Sequence, residues 1–306
     1  MQNLTKVYAF SKILFVLLPK LKEFTMSIAI TADSVIDLTP ELLEKFNIKL
    51  IPISVIVGDD VYDDGVITTD EIFAYVKKTG VLPKTSACNE TRYSENFSNL
   101  LKEYDGVIHF SLSSFMSASH MNAVNASKQF DGKVEVIDSM SLSTGTGIQA
   151  IYARELTKTE SDIHVIAEKV RSRVSSVQAS FVVERLDFLH KGGRCSSVAL
   201  LGANLLKIRP QIIVKDGKMG SHKKYRGAMP LVVKKYCYDV LEEFNTPDKK
   251  ICFITYSSAT PEMIESAKQV VSEAGFETVY ITRAGGTISS HCGENTLGIL
   301  YYNDGK

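Results

Sequence analysis

Residues 106–139, GVIHFSLSSFMSASHMNAVNASKQFDGKVEVIDS, decide the fold. Gly106 to Leu112 is an apolar run of strand length, Met116 to Phe130 reads as a helix, and Val134 to Ile137 is a second short apolar run. A strand, a helix and a strand in that order make a crossover, so the two strands should lie parallel in one sheet. The alternation extends upstream. Ile28-Ala29-Ile30 is a short buried strand, and Thr39-Pro40-Glu41 opens a helix with an N-cap, a first-turn proline and an acid near the positive end. Ile51 to Val57 is a further apolar run, Gly58-Asp59-Asp60 a turn suggesting a small hairpin, and Thr69-Asp70-Glu71 starts a helix ending near Lys78 and Gly80. Ser94 to Glu103 is helical by spacing, and Gly147 begins another helix.

A charged helix at roughly 161–172 precedes a second series: strand Val177 to Val183, a helical stretch through His190, and a break at Gly192-Gly193. Ile208 to Lys215, Asp216-Gly217 and Lys218 to Lys224 read as a hairpin, because Asp-Gly between two runs favours the primed turn, and a hairpin implies a mixed sheet. Helices at 231–243 and 261–273 and strands at 251–256, 278–281 and 297–302 complete the series. The expectation is α/β: two α/β domains, 26–175 with a mostly parallel sheet and 176–306 with a mixed one.

The 306 residues are 44% hydrophobic and 23% charged, the profile of a soluble globular chain rather than a disordered, collagen-like or membrane one. Lys+Arg and Asp+Glu are both 35, and no window forms the basic stripe that nucleic acid or an anionic lipid surface requires. The five cysteines are scattered without a CxxC pair, so neither a disulfide framework nor a zinc knuckle is encoded, and a reducing cytoplasm fits. In residues 1–25 the apolar run Ile13 to Leu18 falls far short of the roughly 20 residues of a spanning helix. Those residues read as an extension or as the product of an upstream start, with Met26 directly before the first strand.

In open parallel sheets ligands sit outside the carboxyl ends of the strands. Here those ends are hydroxylic: Ala32-Asp33-Ser34, the run from Ser113 and Ser114 through Phe115 and Met116 to Ser117-Ala118-Ser119, and Asp138-Ser139-Met140-Ser141, with Thr85-Ser86 on another loop. Hydroxyls beside helix amino ends either cap their own helices or together receive a carboxylate or phosphate. No G-x-S-x-G elbow and no Walker loop is present, and Gly145-Thr146-Gly147-Ile148-Gln149-Ala150 lies too far past its strand for a dinucleotide loop. His109 lies inside an apolar strand as a core histidine, while His120, His164 and His190 lack metal-ligand partners at helical spacing, so no metal and no cofactor are expected. His291 stands in a polar, glycine-rich loop, 285–293, and either meets a ligand or is plain surface. Lys191-Gly192-Gly193-Arg194 binds phosphate, docks a partner or simply closes a helix.

Taken in order, Ala32-Asp33-Ser34, Pro83-Lys84-Thr85-Ser86, the Ser113 to Ser119 run, Val136-Ile137-Asp138-Ser139, the stretch Leu186 to Arg194, Leu205-Leu206-Lys207-Ile208-Arg209-Pro210 with Asp216-Gly217, and His291 resemble the successive signatures of the DegV family. The resemblance spans nearly everything from Met26 onward. It implies a two-domain α/β protein that binds a long-chain fatty acid in a tunnel between the domains, of the kind that carries the lipid for a bacterial fatty acid kinase in phospholipid synthesis. It also implies that Thr85 and Ser117 hold the carboxylate. Ser86, Ser113, Ser114 and His291 are expected to support the head group, and Arg194 to contact a phosphate or partner. The chain has Ala87-Cys88-Asn89 after Thr85-Ser86 where the family has QPS, Ser117-Ala118-Ser119 for SGT, and His291-Cys292-Gly293-Glu294-Asn295 for HTGPG.

A buried methylene gains roughly 0.8 kcal/mol and a charged hydrogen bond roughly 1.5–3, so the tail should drive affinity while the hydroxyls set orientation. The implied role is a non-catalytic carrier presenting its acid to a separate kinase, with no catalytic residue of its own. The alternatives are an acyl or phosphoryl transferase using His291 as acid or base, and a lipid-dependent regulator.

Overall fold

The computed structural model describes residues 27–195 and 208–305. The expectations for residues 1–25 and for Leu205-Leu206-Lys207 lie outside the described residues. Strands β1 (Ile28–Asp33), β2 (Ile48–Ile51), β6 (Gly106–Ser111) and β7 (Val134–Asp138) form a sheet of order β2-β1-β6-β7, parallel throughout. β1 and β6 are buried at every position, as strands covered on both faces must be. Helix α1 (Pro40–Lys45) starts as its sequence dictates, with Thr39 accepting from the Leu42 amide.

The apolar run at 51–57 belongs to two strands. Pro52 has no N–H to give a ladder, so the chain leaves the parallel sheet after Ile51 and re-pairs as β3 (Ser54–Val57). β3 joins β4 (Asp60–Asp63) and β5 (Lys84–Ser86) in a small antiparallel sheet, β4-β3-β5. Between β4 and β5 runs α2 (Thr69–Thr79), opened by a reciprocal cap in which Thr68 accepts from Glu71 and Glu71 accepts from Thr68. Helix α3 (Glu90–Leu100) begins earlier than its apolar spacing suggests because Asn89 caps it. Helix α4 (Ser119–Ser127) begins later than Met116, because the amides of Met116 and Ser117 turn back to the Ser113 carbonyl.

Helix α5 (Thr144–Leu156) leads to α6 (Ile163–Arg171) and into a six-stranded sheet. Its strands are β8 (Val177–Val182), β9 (Arg209–Lys215), β10 (Lys218–Tyr225), β11 (Ile251–Tyr256), β12 (Thr278–Arg283) and β13 (Leu297–Tyr302), in the order β10-β9-β8-β13-β11-β12. Only β11 and β12 are parallel; the other pairings are antiparallel, which makes this the mixed sheet. The β9–β10 turn is primed as read: Asp216 and Gly217 both have positive φ, 49° and 75°. Helices α7 (Asp187–Gly192), α8 (Met229–Glu243), α9 (Pro261–Glu273) and α10 (Gly286–Cys292) complete the chain. α5 lies between the sheets: Ile148 and Ile151 share one core cluster with Ile30 and Phe110 on one side and Ala179, Phe253 and Leu300 on the other. Among the described residues no helix is long and apolar enough to cross a membrane.

Candidate functional site

Four separated segments converge on a cavity of about 200 Å³ between the two sheets. Thr85, Ser117, Thr287, His291 and Arg194 supply its polar lining; Ile53, Leu112, Met116, Leu142, Met219 and Ile288 are among the residues of its apolar one. Thr85 comes from β5, opposite Val55 of β3, and its hydroxyl lies 2.9 Å from Nε2 of His291. Ser117 ends the turn after β6. Its Oγ accepts from the Ser119 amide at 3.1 Å and lies 2.9 Å from the Ser119 hydroxyl.

The Ser117 turn is held from below by Asp33, the last residue of β1 and fully buried. Asp33 accepts from the Leu112 amide at 2.8 Å and from the Tyr93 hydroxyl at 2.5 Å, and His109 Nε2 stands 3.4 Å away. His109 is a core histidine, with Thr31 on its other nitrogen at 2.9 Å. Asp33 thus gives the Leu112 amide, where the chain leaves β6 for the hydroxyl-rich turn, an acceptor in the interior.

The segment 285–293, expected as a loop, is helix α10, and the reason is not local. Gly285 at its N-cap has no side chain to offer. The orphan amides are taken by two carboxylates from the first part of the chain: Gly285 N–H donates to Asp37 at 2.8 Å and Thr287 N–H to Asp64 at 3.1 Å. Asp64 is itself fixed by the Ser34 hydroxyl at 3.0 Å, and Thr69 donates to the Ala284 carbonyl at 2.9 Å. The helix therefore reaches out of the mixed-sheet half and seats against the small sheet, which brings His291 to Thr85. Asp37 and Asp64 were not singled out from sequence, since an acid after a strand or in a turn carries no sign of a distant helix end.

His291 is half-buried, and burial, assisted by the Arg194 charge, lowers its pKa to about 4. Its Nδ1 is sealed and makes no hydrogen bond. The Gly192-Gly193 break is explained here. A Cβ on Gly192 would stand 2.5 Å from His291 Nδ1, and Gly193 takes the left-handed conformation, φ 69°, that ends α7. Arg194 follows at once, exposed, with its guanidinium turned to the Gly192 carbonyl at 2.7 Å.

Three residues expected near the head group lie elsewhere. Ser86 alternates with Thr85 along β5 and is exposed on the opposite face, opposite Ser54. Ser113 is fully buried and donates to the Gly217 carbonyl at 2.7 Å, tying the β9–β10 turn to the Ser117 loop. Ser114 is exposed, with its amide on Asp138. Among the described residues, no group of three or more His, Cys, Asp or Glu side chains is placed to hold a metal ion.

A family model described as an uncharacterised protein of the DegV family matches residues 27–304. A DegV domain-containing protein of Staphylococcus aureus is 31% identical over 274 residues, 89% of this chain and 97% of its own. The solved structure of a fatty-acid-binding DegV family protein from Thermus thermophilus has a TM-score of 0.83 at 25% identity, covering 91% of this chain and 100% of that one. A stearic-acid-binding protein from Eubacterium ventriosum has a TM-score of 0.78 at 26% identity, covering 90% of this chain and 98% of that one.

Proposed function

The chain belongs to the DegV family, and from that premise we propose that it binds a long-chain fatty acid whose carboxylate lies against Thr85 and Ser117 and whose tail fills the apolar cavity behind them. The single observation that carries this reading is the mixed lining of one cavity: the hydroxyl residues Thr85, Ser117 and Thr287 with His291 and Arg194, beside branched and thioether side chains. The fatty acids held by structural relatives of the same fold support the ligand class. A long acyl chain buried there gains on the order of 10 kcal/mol before entropic costs, and each hydroxyl on the carboxylate adds about 1.5–3 kcal/mol.

Thr85 beside His291 has the first two members of a nucleophile and base, but the pair is built to bind. Nδ1 of His291 has no carboxylate to orient it, and an imidazole whose pKa is about 4 is a weak base at neutral pH. We therefore read the protein as a non-catalytic carrier. It presents its acid to a separate kinase that forms the acyl phosphate, with the exposed Arg194 beside the polar end facing the phosphate or the partner. Solvent extraction and mass spectrometry of the purified protein should recover about one fatty acid per chain. Thr85→Val combined with Ser117→Ala should leave the fold unchanged and weaken retention at least about tenfold. A protein that carries no acid, or a double variant that binds as wild type, would reject the reading.

A further inference from the structure

Helix α10 has two faces. Gly286 lies on the one packed against the small sheet and α2, where a Cβ would stand 3.1 Å from both Asp64 and Ile72 and 3.3 Å from Val55. Thr287, Ile288, His291 and Cys292 form the other, which lines the cavity. Ile288 and Cys292 also line a second space of about 30 Å³, whereas Thr287 and His291 border only the first of the two. Residues four apart on a helix have Cβ atoms about 5–6 Å from each other, so Thr287 stands one turn from the histidine that meets Thr85.

Three side-chain hydroxyls lie on α10, and two have acceptors within the fold. Ser289 donates to the Ala284 carbonyl at 3.1 Å and Ser290 to the Gly286 carbonyl at 2.6 Å. Thr287 is only 3% exposed, and its hydroxyl has no hydrogen-bond partner. The other hydroxyls of the cavity are engaged as well, Thr85 with Nε2 of His291 and Ser117 with Ser119. A buried O–H without an acceptor is unfavourable, and beside a ligand cavity the ligand is what can supply one. A carboxylate has two oxygens and about four lone-pair positions, enough for three hydroxyl donors. We propose that Thr287 is a third residue of the head-group site, its hydroxyl donating to the carboxylate that Thr85 and Ser117 also hold. The proposal rests on the fatty-acid reading above and adds selectivity to it: an ionised acid, unlike its ester, offers the third donor a charged acceptor.

The test titrates the full chain, stripped of lipid, with hexadecanoic acid and with its methyl ester, and follows thermal unfolding with and without the acid. Thr287→Val keeps the side-chain shape and removes the hydroxyl. It should raise the Tm of the unliganded protein, because a buried donor without a partner is gone, and yet weaken binding of the acid about tenfold with little change for the ester. A hydroxyl with a merely structural role would lower that Tm instead. Thr287→Ser keeps the donor and should bind the acid within about twofold of wild type. The proposal is overturned by a Thr287→Val protein that binds the acid as wild type does, that loses acid and ester by the same factor, or that loses unliganded stability and acid binding together. If Thr85→Val with Ser117→Ala still weakens the acid in that case, the carrier reading stands. A wild-type chain that takes up no acid would overturn both.

Discussion

Asp33 and Asp37 stand at the two ends of one short 3-10 turn, 34–36, and each anchors one side of the polar end of the cavity. Asp33 receives the Leu112 amide and so fixes the loop of Ser117; Asp37 receives the Gly285 amide and so fixes the helix of His291. Their surroundings differ. Asp33 has a phenol hydroxyl at 2.5 Å and an imidazole at 3.4 Å. Asp37 has the Ser143 hydroxyl, and the charged group that bears on it is a second carboxylate, Asp64. Burial and that repulsion raise the Asp37 pKa to about 8, against the Gly285 and Ser143 hydrogen bonds that lower it. A carboxyl can thus anchor a backbone amide while it keeps its proton, with one oxygen accepting and the other carrying the hydrogen. An anchor of that kind responds to pH.

Removing the acceptor should do the most damage on the Asp33 side. Asp33→Ala leaves the Leu112 amide and the Tyr93 hydroxyl in a dry core without a partner, at about 1–3 kcal/mol each. We expect a loss of about 4 kcal/mol and a fall in Tm of about ten degrees, read by urea and thermal unfolding. Asp37→Ala should cost less at pH 9, because it also removes a carboxyl that burial forces to ionise unfavourably there. Equal losses for the two variants would break the comparison.

The same contrast marks how much was legible in the sequence. Strand alternation, the Thr39 cap and the Asp216-Gly217 turn are local, and the chain obeys them. Thr85, Ser117, His291 and Arg194, picked out by short motifs, do face one cavity. What sequence could not give is long-range anchoring. The acceptors that make 286–292 a helix are 248 and 223 positions away from the amides they receive. Ser113, chemically the twin of Ser117, is turned to a carbonyl from a distant hairpin instead of to the cavity.

A pH series on wild type and Asp37→Asn isolates the Asp37 anchor. With a folded pKa of about 8 against an ordinary 3.8, the native state holds a proton that the unfolded state has lost over that window. Stability should therefore fall as pH rises from about 4 to about 8, by at most about 1.4 kcal/mol per unit. Asparagine is uncharged like the protonated form, and its oxygen accepts from Gly285 N–H. Its N–H donates to the Ser143 oxygen once that hydroxyl turns from the donor it is toward the carboxylate to an acceptor. Asp37→Asn should be flatter than wild type across the window and the more stable of the two above pH 8. A wild-type curve parallel to that of the variant would show that Asp37 is ionised in the native protein.

His291 provides the smallest and opposite effect, at the other end of the helix that Asp37 begins. Its folded pKa is about 4 and its ordinary value 6.5, so between them the unfolded state takes up a proton that the native state refuses. Stability should be lost as pH falls from about 6.5 to about 4, by about 1–2 kcal/mol once the half-exposed ring is allowed for. His291→Gln keeps a donor for the Thr85 oxygen and cannot charge; its acid limb should be flatter than wild type while Asp37→Asn leaves that limb in place. Filling the cavity with a long-chain acid should raise stability, because a ligand that binds only the folded state stabilises it by mass action. An acid limb identical in His291→Gln and wild type would mean that the imidazole protonates freely within the fold. Burial would then have no bearing on its charge, and the neutral hydrogen bond to Thr85 would not be what holds the polar end together.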